Sequence, residues 1–181
     1  VVTPNGVDTE FYDPGRFRAT RLTNDFVVGF VGNLYAWAGV DLLLDAIHEL
    51  RHEGFPVATV IVGDGMLRSE LEERAAFLGV GPHVTFVGRQ PRDLVPNYTL
   101  GFDVGYSGQT PKQMGTMYGS PIKIYEYLAL GKPVIASAYE DARAVIKDGV
   151  NGFLFEPASL DGLKQAIVRA YHARAELPSE A

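Results

Sequence analysis

The feature that most constrains the fold is an alternation of short apolar runs with segments of helical periodicity. Residues 58–63 form an unbroken run rich in β-branched side chains, and residues 26–32 and 84–88 have the same character. Between the first two runs, residues 40–50 repeat apolar side chains every three to four positions, as the buried face of a helix does. Strands that are apolar throughout are typical of a sheet covered by helices on both faces.

The same alternation continues to the end of the chain. Further strands are predicted at residues 102–106, 133–136 and 152–155, and further helices at residues 67–78, 92–99, 121–130, 142–147 and 160–171. About six strands joined by helices predict an α/β fold, a doubly wound, Rossmann-like parallel sheet with right-handed crossovers. Ligands of such sheets bind beyond the carboxyl ends of the strands, near the point where the strand order reverses.

Charge and composition exclude several functional classes. The chain has 16 Lys and Arg against 22 Asp and Glu, a net charge of -6 that argues against nucleic-acid binding and gives no electrostatic attraction to an anionic membrane. The absence of cysteine excludes disulfides, cysteine-ligated zinc and thiol nucleophiles. The apolar run at residues 26–31 is far shorter than the ~20 residues of a membrane helix. We therefore expect a cytoplasmic domain, with any membrane association made through parts outside this chain.

The strongest candidate site is the start of the helix predicted at residues 121–130. Ser120 is suited to cap this helix, and Pro121 suits the first helical position because no N–H is needed there. The helix is predicted to end at Leu130, because Gly131 and Pro133 follow it.

A helix start attracts anions because its first N–H groups have no acceptor inside the helix. Here these groups belong to Ile122, Lys123 and Ile124, and the side chain of Lys123 adds a positive charge. Glu126 lies one turn further along the same face. A phosphate at the helix start and a diol near Glu126 would together fit a nucleoside diphosphate. The alternative is a capped helix with a surface pair between Lys123 and Glu126.

Other candidate residues have structural explanations at least as good as functional ones. Trp37 follows the first strand, where it could contact a ligand or cover the sheet edge, and Asp64 lies in a Gly-Asp-Gly turn. Arg89 ends a strand and could meet a phosphate or the solvent. His48 and His52 have helical spacing for a metal, but no third ligand accompanies them and a solvated helix face explains both.

Short motifs follow one another in a specific order along most of the chain. They are TPNGVD at 3–8, GFVG at 29–32, GVDLL at 39–43, VGDG at 62–65, VTFVGR at 84–89, SPIKIYE at 120–126, GKPVIAS at 131–137 and DGVNG at 148–152. This series resembles the C-terminal half of GT-B glycosyltransferases of family 4. The resemblance implies one donor-binding domain over residues 1–181, with the N-terminal acceptor domain outside this chain. We expect the chain by itself to bind a nucleotide weakly and to transfer nothing.

The resemblance implies sugar transfer from a UDP-, GDP- or ADP-linked sugar, with retention of configuration and without a metal or other cofactor. Glu126 would bind the ribose hydroxyls, and the helix start would bind the diphosphate. Gly32 and Asn33 would line the diphosphate and the sugar, and Arg89 and Gln90 the base pocket. No catalytic residue is assigned. The implied donor-binding residues are Gly32, Asn33, Arg89, Gln90, Tyr118, Ser120, Pro121, Ile122, Lys123 and Glu126.

Three positions depart from the family pattern. The family usually has a cation after Gly32, where this chain has Asn33, and a lysine before Gly39, where it has Ala38. The first glutamate of the family's Glu-x7-Glu pattern would stand at Tyr118. These departures favour a second hypothesis, a catalytically silent domain of the same descent that binds nucleotide sugars or acts as a scaffold. A third, a dinucleotide-dependent oxidoreductase, is disfavoured because no GxGxxG turn follows the first strand.

Overall fold

The computed structural model describes residues 6–110 and 121–174. Six parallel strands form one sheet in the order β3-β2-β1-β4-β5-β6. The strands are β1 (Phe26–Val31), β2 (Val57–Val62), β3 (Val84–Gly88), β4 (Val104–Ser107), β5 (Val134–Ser137) and β6 (Gly152–Phe155). The doubly wound, Rossmann-like sheet predicted from the sequence is confirmed, and every predicted strand begins and ends within two residues of an observed one.

Helices cover both faces of this sheet. They are α1 (Val40–His52), α2 (Arg68–Phe77), α3 (Val95–Leu100), α4 (Ile122–Ala129), α5 (Glu140–Val145) and α6 (Leu160–Ala173). On one face, α1, α2 and α6 bury side chains such as Leu44 against Val28. On the other, α3, α4 and α5 pack side chains such as Ile124 against Val27. None of the helices in the described ranges is long and apolar enough to span a bilayer.

The strand order reverses between β1 and β4. The chain runs outward from β1 through β2 to β3, and then returns to β4 on the other side of β1 before continuing to β6. The two crossovers leave a crevice between them at the carboxyl ends of β1 and β4, where folds of this type bind ligands. The described chain therefore has its candidate binding crevice beyond Val31 and Ser107.

Helix α4 lies directly against β4 because Gly105 has no side chain. A Cβ at position 105 would lie 2.3 Å from the ring of Tyr127. The Tyr127 hydroxyl accepts a hydrogen bond of 2.8 Å from the N–H of Val31, the last residue of β1. Burial raises the pKa of Tyr127, so its hydroxyl stays neutral. These contacts hold α4 across the ends of β1 and β4 and position its first turn at the crevice.

Candidate functional site

At the carboxyl ends of β1, β2 and β3, main-chain atoms rather than side chains line the edge of the sheet. The Gly32 N–H donates to the Val62 carbonyl at 3.0 Å, and the Gly63 N–H donates to the Gly88 carbonyl at 2.9 Å. Gly63 has a φ of 136°, and a Cβ there would lie 1.9 Å from the Gly32 carbonyl oxygen. Side chains are therefore excluded at position 63, and a ligand at this edge would meet the main chain.

The loop that joins β1 to α1 brings no charged side chain to this edge. Asn33 is exposed, and its carbonyl accepts a hydrogen bond from the Tyr35 N–H at 3.1 Å. Ala38 is only 6% exposed and belongs to the apolar core. Trp37 is half-exposed and stacks on Tyr35 with ring centres 4.7 Å apart. At the two positions where the family carries cations, this chain thus has a solvated amide and a buried methyl group.

Helix α4 begins one residue later than predicted. Pro121 has extended backbone (φ −72°, ψ 104°) and precedes the first helical residue, Ile122, so its predicted place inside the first turn is wrong. The Ile124 N–H is not free either, because it donates to the Pro121 carbonyl at 3.1 Å. The N–H groups of Ile122 and Lys123 have no acceptor within the described residues.

Two predicted donor-binding residues precede this helix start. Ser120, predicted to cap the helix, and Tyr118 lie outside the described residues. No side chain of the described ranges caps α4. Among the described residues, the groups at this helix start that could bind an anion are therefore the two N–H groups and the Lys123 side chain.

The side chain of Lys123 reaches the end of β1. Its Nζ lies 4.1 Å from the centre of the Phe30 ring, and a Cβ at Gly32 would lie 3.1 Å from the same nitrogen. No carboxylate of the described residues forms an ion pair with it. Burial lowers the pKa of Lys123 to about 8, and the negative charge of Glu126 offsets part of that shift. The alternative of a surface ion pair with Glu126 is therefore wrong, and the Lys123 ammonium has no counter-ion at ion-pair distance among the residues that the structure describes.

Glu126 is held by a residue that is distant in sequence. The Tyr12 hydroxyl donates to its Oε1 at 2.5 Å. Tyr12 is buried and comes from the segment that precedes β1. Its burial, and then the hydrogen bond to Glu126, raise the pKa of Tyr12, while the nearby charge of Arg92 acts in the opposite direction. Sequence reasoning missed Tyr12, because a contact across 114 residues leaves no local pattern.

Arg89 and Gln90 follow β3, on the far side of β2 from β1. Arg89 is exposed, and Gln90 donates from Nε2 to the Val87 carbonyl of its own loop at 3.3 Å. Two strand spacings, about 10 Å, separate β3 from β1. The structure therefore brings Gly32, Lys123 and Glu126 together, and places the predicted base-pocket residues at a second point on the same edge.

The guanidinium of Arg68, which is not among the predicted site residues, also lies at the end of β3. A Cβ at Gly88 would lie 3.0 Å from its Nη1. Arg68 pairs with Glu72 at 2.8 Å and with Asp64 at 3.7 Å, so its charge is already matched. Asp64 also accepts the Gly65 N–H at 2.8 Å, which supports its structural role in the turn.

The two histidines with helical spacing are engaged in local contacts. His48 Nδ1 bonds the Leu78 carbonyl at 2.8 Å, and its ring meets the His52 ring edge-on with centres 5.4 Å apart. Residues 6–110 and 121–174 contain no group of three or more His, Asp or Glu side chains that could hold a metal.

Comparison with known proteins gives consistent matches. The family model described as glycosyl transferases group 1 matches residues 25–173. The GDP-mannose-dependent alpha-(1-6)-phosphatidylinositol monomannoside mannosyltransferase of Mycolicibacterium smegmatis is 29% identical over an alignment of 171 residues, and the match covers 91% of this chain and 45% of that protein. The chain therefore spans less than half the length of this curated relative.

Solved structures show the same fold. Anabaena HepE, in complex with UDP, superposes with a TM-score of 0.78 at 24% identity, covering 96% of this chain and 48% of HepE. The C-terminal domain of a glycosyl transferase group 1 family protein (LpcC) from Francisella tularensis superposes with a TM-score of 0.74 at 18% identity, covering 92% of this chain and 88% of that domain. The sheet described above thus corresponds to a unit that was crystallised as a C-terminal domain in that protein.

Proposed function

Because this chain belongs to the glycosyl transferases group 1 family and has the fold of a GT-B C-terminal domain, we propose that it is the donor-binding half of a retaining glycosyltransferase. A sugar would pass from a nucleoside diphosphate to an acceptor held by another domain of the same protein. The observation that carries the proposal is an enclosed cation at the switch point, Lys123, which has no ion-pair partner within residues 6–110 and 121–174 and lies one helical turn from the carboxylate Glu126.

The diphosphate would bind at the start of α4. The N–H groups of Ile122 and Lys123, which have no acceptor among the described residues, offer hydrogen-bond donors there, and the Lys123 ammonium adds a full charge. A preorganised cation in an enclosed site stabilises the charge that develops on a departing diphosphate without having to reorganise. Because protein groups supply this charge, we propose that donor binding needs no metal ion.

The ribose and the base would extend from the helix start toward β3. The carboxylate of Glu126 accepts hydrogen bonds, as recognition of a ribose diol requires. The base would lie over the backbone beside Gly88, near Arg89 and Gln90. The mycobacterial relative is named for GDP-mannose and HepE is solved with UDP, so guanine and uracil are the first bases to test.

A second candidate is a nucleotide-sugar-binding domain without transfer activity. It is favoured by one observation, the lack of any cation in the loop after β1, where Asn33 is solvated and Ala38 is buried. Transfer by the full-length protein separates the two candidates. Activity that is lost on changing Lys123 supports the enzyme, whereas donor binding without any transfer supports the silent domain.

The test is calorimetry on this chain with UDP, GDP, ADP, UDP-glucose, GDP-mannose and NAD. We expect one nucleoside diphosphate and its sugar to bind in the presence of a chelator, and NAD not to bind. Glu126→Ala should weaken that binding by about 10-fold or more, because the ribose loses a charged acceptor. Glu70→Ala, an exposed glutamate on α2, is the matched control and should bind as the unchanged chain does. Unchanged affinity in Glu126→Ala would contradict the assignment of the ribose site.

A further inference from the structure

The segment before β1 folds into a hydrogen-bonded turn that presents Tyr12. The Asp8 carboxylate accepts the N–H groups of Glu10 at 3.1 Å and Phe11 at 3.0 Å, and the Asp8 carbonyl accepts the Tyr12 N–H at 2.9 Å. The Phe11 ring meets the Tyr12 ring edge-on with centres 4.9 Å apart. Tyr12 therefore has little freedom to rotate away from its partner.

The same segment is anchored to α3 and to the loop before it. Asn97 accepts the Arg18 N–H through its side chain at 3.1 Å and the Thr20 N–H through its carbonyl at 2.7 Å. The Arg92 guanidinium lies over the Phe11 ring at 4.4 Å. The segment thus spans from the β3–α3 connection, beside the proposed base pocket, to Glu126 on α4.

We propose that Tyr12 is a positioning residue for the donor site, which fixes Oε1 of Glu126 and leaves Oε2 to accept the ribose hydroxyls. This inference rests on the ribose-binding role of Glu126 in the proposed function. The hydrogen bond is short, at 2.5 Å, and no other side chain of the described residues bonds the Glu126 carboxylate. The Tyr12 hydroxyl gives its only proton to Oε1 and cannot exchange it for a ligand contact while that bond persists.

Two physical effects make this arrangement favourable for binding. A carboxylate already held in one rotamer loses less conformational freedom when it captures a ligand. Burial raises the pKa of Tyr12, so the hydroxyl keeps its proton and its role as donor at neutral and mildly alkaline pH. A phenylalanine at position 12 would fill the same space and leave Glu126 free to rotate.

The test compares Tyr12→Phe with the unchanged chain by calorimetry, using the nucleoside diphosphate that binds best and its 2′,3′-dideoxy analogue. Loss of one positioning hydrogen bond should weaken binding of the ribonucleotide by about 3- to 10-fold. The dideoxy analogue has no ribose hydroxyls that could donate hydrogen bonds to Glu126. Its affinity should therefore be the same for Tyr12→Phe and for the unchanged chain. Tyr98→Phe is the control, because the Tyr98 hydroxyl makes no hydrogen bond within the described residues.

A second measurement separates positioning from general disturbance. In the Glu126→Ala background, the loss caused by Tyr12→Phe should disappear, because Tyr12 acts only through that carboxylate. Thermal unfolding of each variant verifies that it is folded at the temperature of the binding measurement.

Every other outcome of these measurements contradicts the role of Tyr12, and one of them contradicts the proposed function as well. If Tyr12→Phe weakens binding of the ribonucleotide and of its dideoxy analogue equally, Tyr12 is a structural residue and the inference is refuted. Unchanged affinity in Tyr12→Phe, with a loss in Glu126→Ala, would refute the inference and leave the proposed function standing. If Glu126→Ala has no effect, or if the unchanged chain binds no nucleoside diphosphate, the proposed function fails and the Tyr12 assignment fails with it.

Discussion

Two lysines in this molecule have opposite electrostatic surroundings. Lys164 on α6 donates to Glu49 on α1 and to Glu53, which directly follows that helix, at 2.6 Å each, and these carboxylates raise its pKa. Lys123 on α4 has an aromatic ring and backbone around its ammonium, and burial lowers its pKa to about 8. Lys164 links two helices at the surface, whereas Lys123 is enclosed at a strand end, where no carboxylate in the described part of the chain forms an ion pair with it.

The difference indicates which of the two charges is available to a ligand. A cation that already has two carboxylate partners offers little to an incoming anion, because binding would require those partners to leave. An enclosed cation without a counter-ion costs free energy in the empty protein, and an anion that reaches it recovers that cost. The contrast therefore favours α4 over the α1–α6 face as the anion-binding region.

The largest expected effect comes from removing the unpaired charge. Lys123→Met should weaken binding of the nucleoside diphosphate by about 10- to 100-fold, the size of a charge-assisted contact. Lys164→Met is the same substitution at the paired lysine and should leave affinity unchanged. Calorimetry on both variants measures this, and equal losses in the two would remove the distinction between the lysines.

A smaller effect is expected from pH. Lys123 has a pKa of about 8 in the empty protein, and a bound diphosphate would raise that pKa by stabilising the charged form. Affinity should therefore be highest below pH 8 and fall above it, by at most about tenfold per pH unit. Lys123→Arg, which stays charged, should show a flat profile over the same range. A slope that persists in this variant would assign the titration to another group.

The same pKa shift predicts the pH dependence of folding. The charged form of Lys123 is disfavoured in the folded state, so its cost to stability is fully present below pH 8. That cost is removed as pH rises toward the unfolded value of ~10.4, a change of up to about 3 kcal/mol. Urea unfolding should show the unchanged chain gaining stability relative to Lys123→Met across this range. A constant difference between the two would contradict the burial of the ammonium.

The smallest expected effect comes from restoring the cations that the loop after β1 lacks. Asn33→Arg should tighten binding of the diphosphate by about 3- to 10-fold, because position 33 is exposed and a new charge there costs no burial. Ala38→Lys would restore the second cation of the family pattern, but Ala38 is buried in the core. The lysine should therefore lower the melting temperature and give the smaller gain. No gain from either variant would show that the diphosphate does not approach this loop.

Local patterns predicted most of the fold, and their errors have a common cause. The strand predicted from Phe102 begins instead at Val104, because the Phe102 N–H donates to the Thr99 carbonyl at the end of α3. The Phe102 ring fills the space left by Gly29, where a Cβ would lie 2.0 Å from it. Hydropathy predicts that Phe102 is buried. Whether it pairs within the sheet or packs against it depends on its tertiary contacts with Thr99 and Gly29.

The start of α4 shows the same limit at the candidate site. Proline suits both the first helical position and the position before it, because neither needs its N–H inside the helix. The extended ψ of Pro121 shows that this proline occupies the position before the first helical residue. Spacing placed Lys123 and Glu126 on one helix face, but it left both a surface ion pair and a ligand site open.

The sequence by itself determined the six strands, their helices and the sheet edge at which we expect a ligand to bind, because these follow from hydropathy and turn residues that act over a few positions. Tertiary structure alone decided that Lys123 is enclosed against Phe30 and that Tyr12 holds Glu126. Both depend on side chains that come from separate segments of the chain and meet only when the sheet and its helices have packed. Charge and hydrogen bonding at the site are therefore properties of that packing.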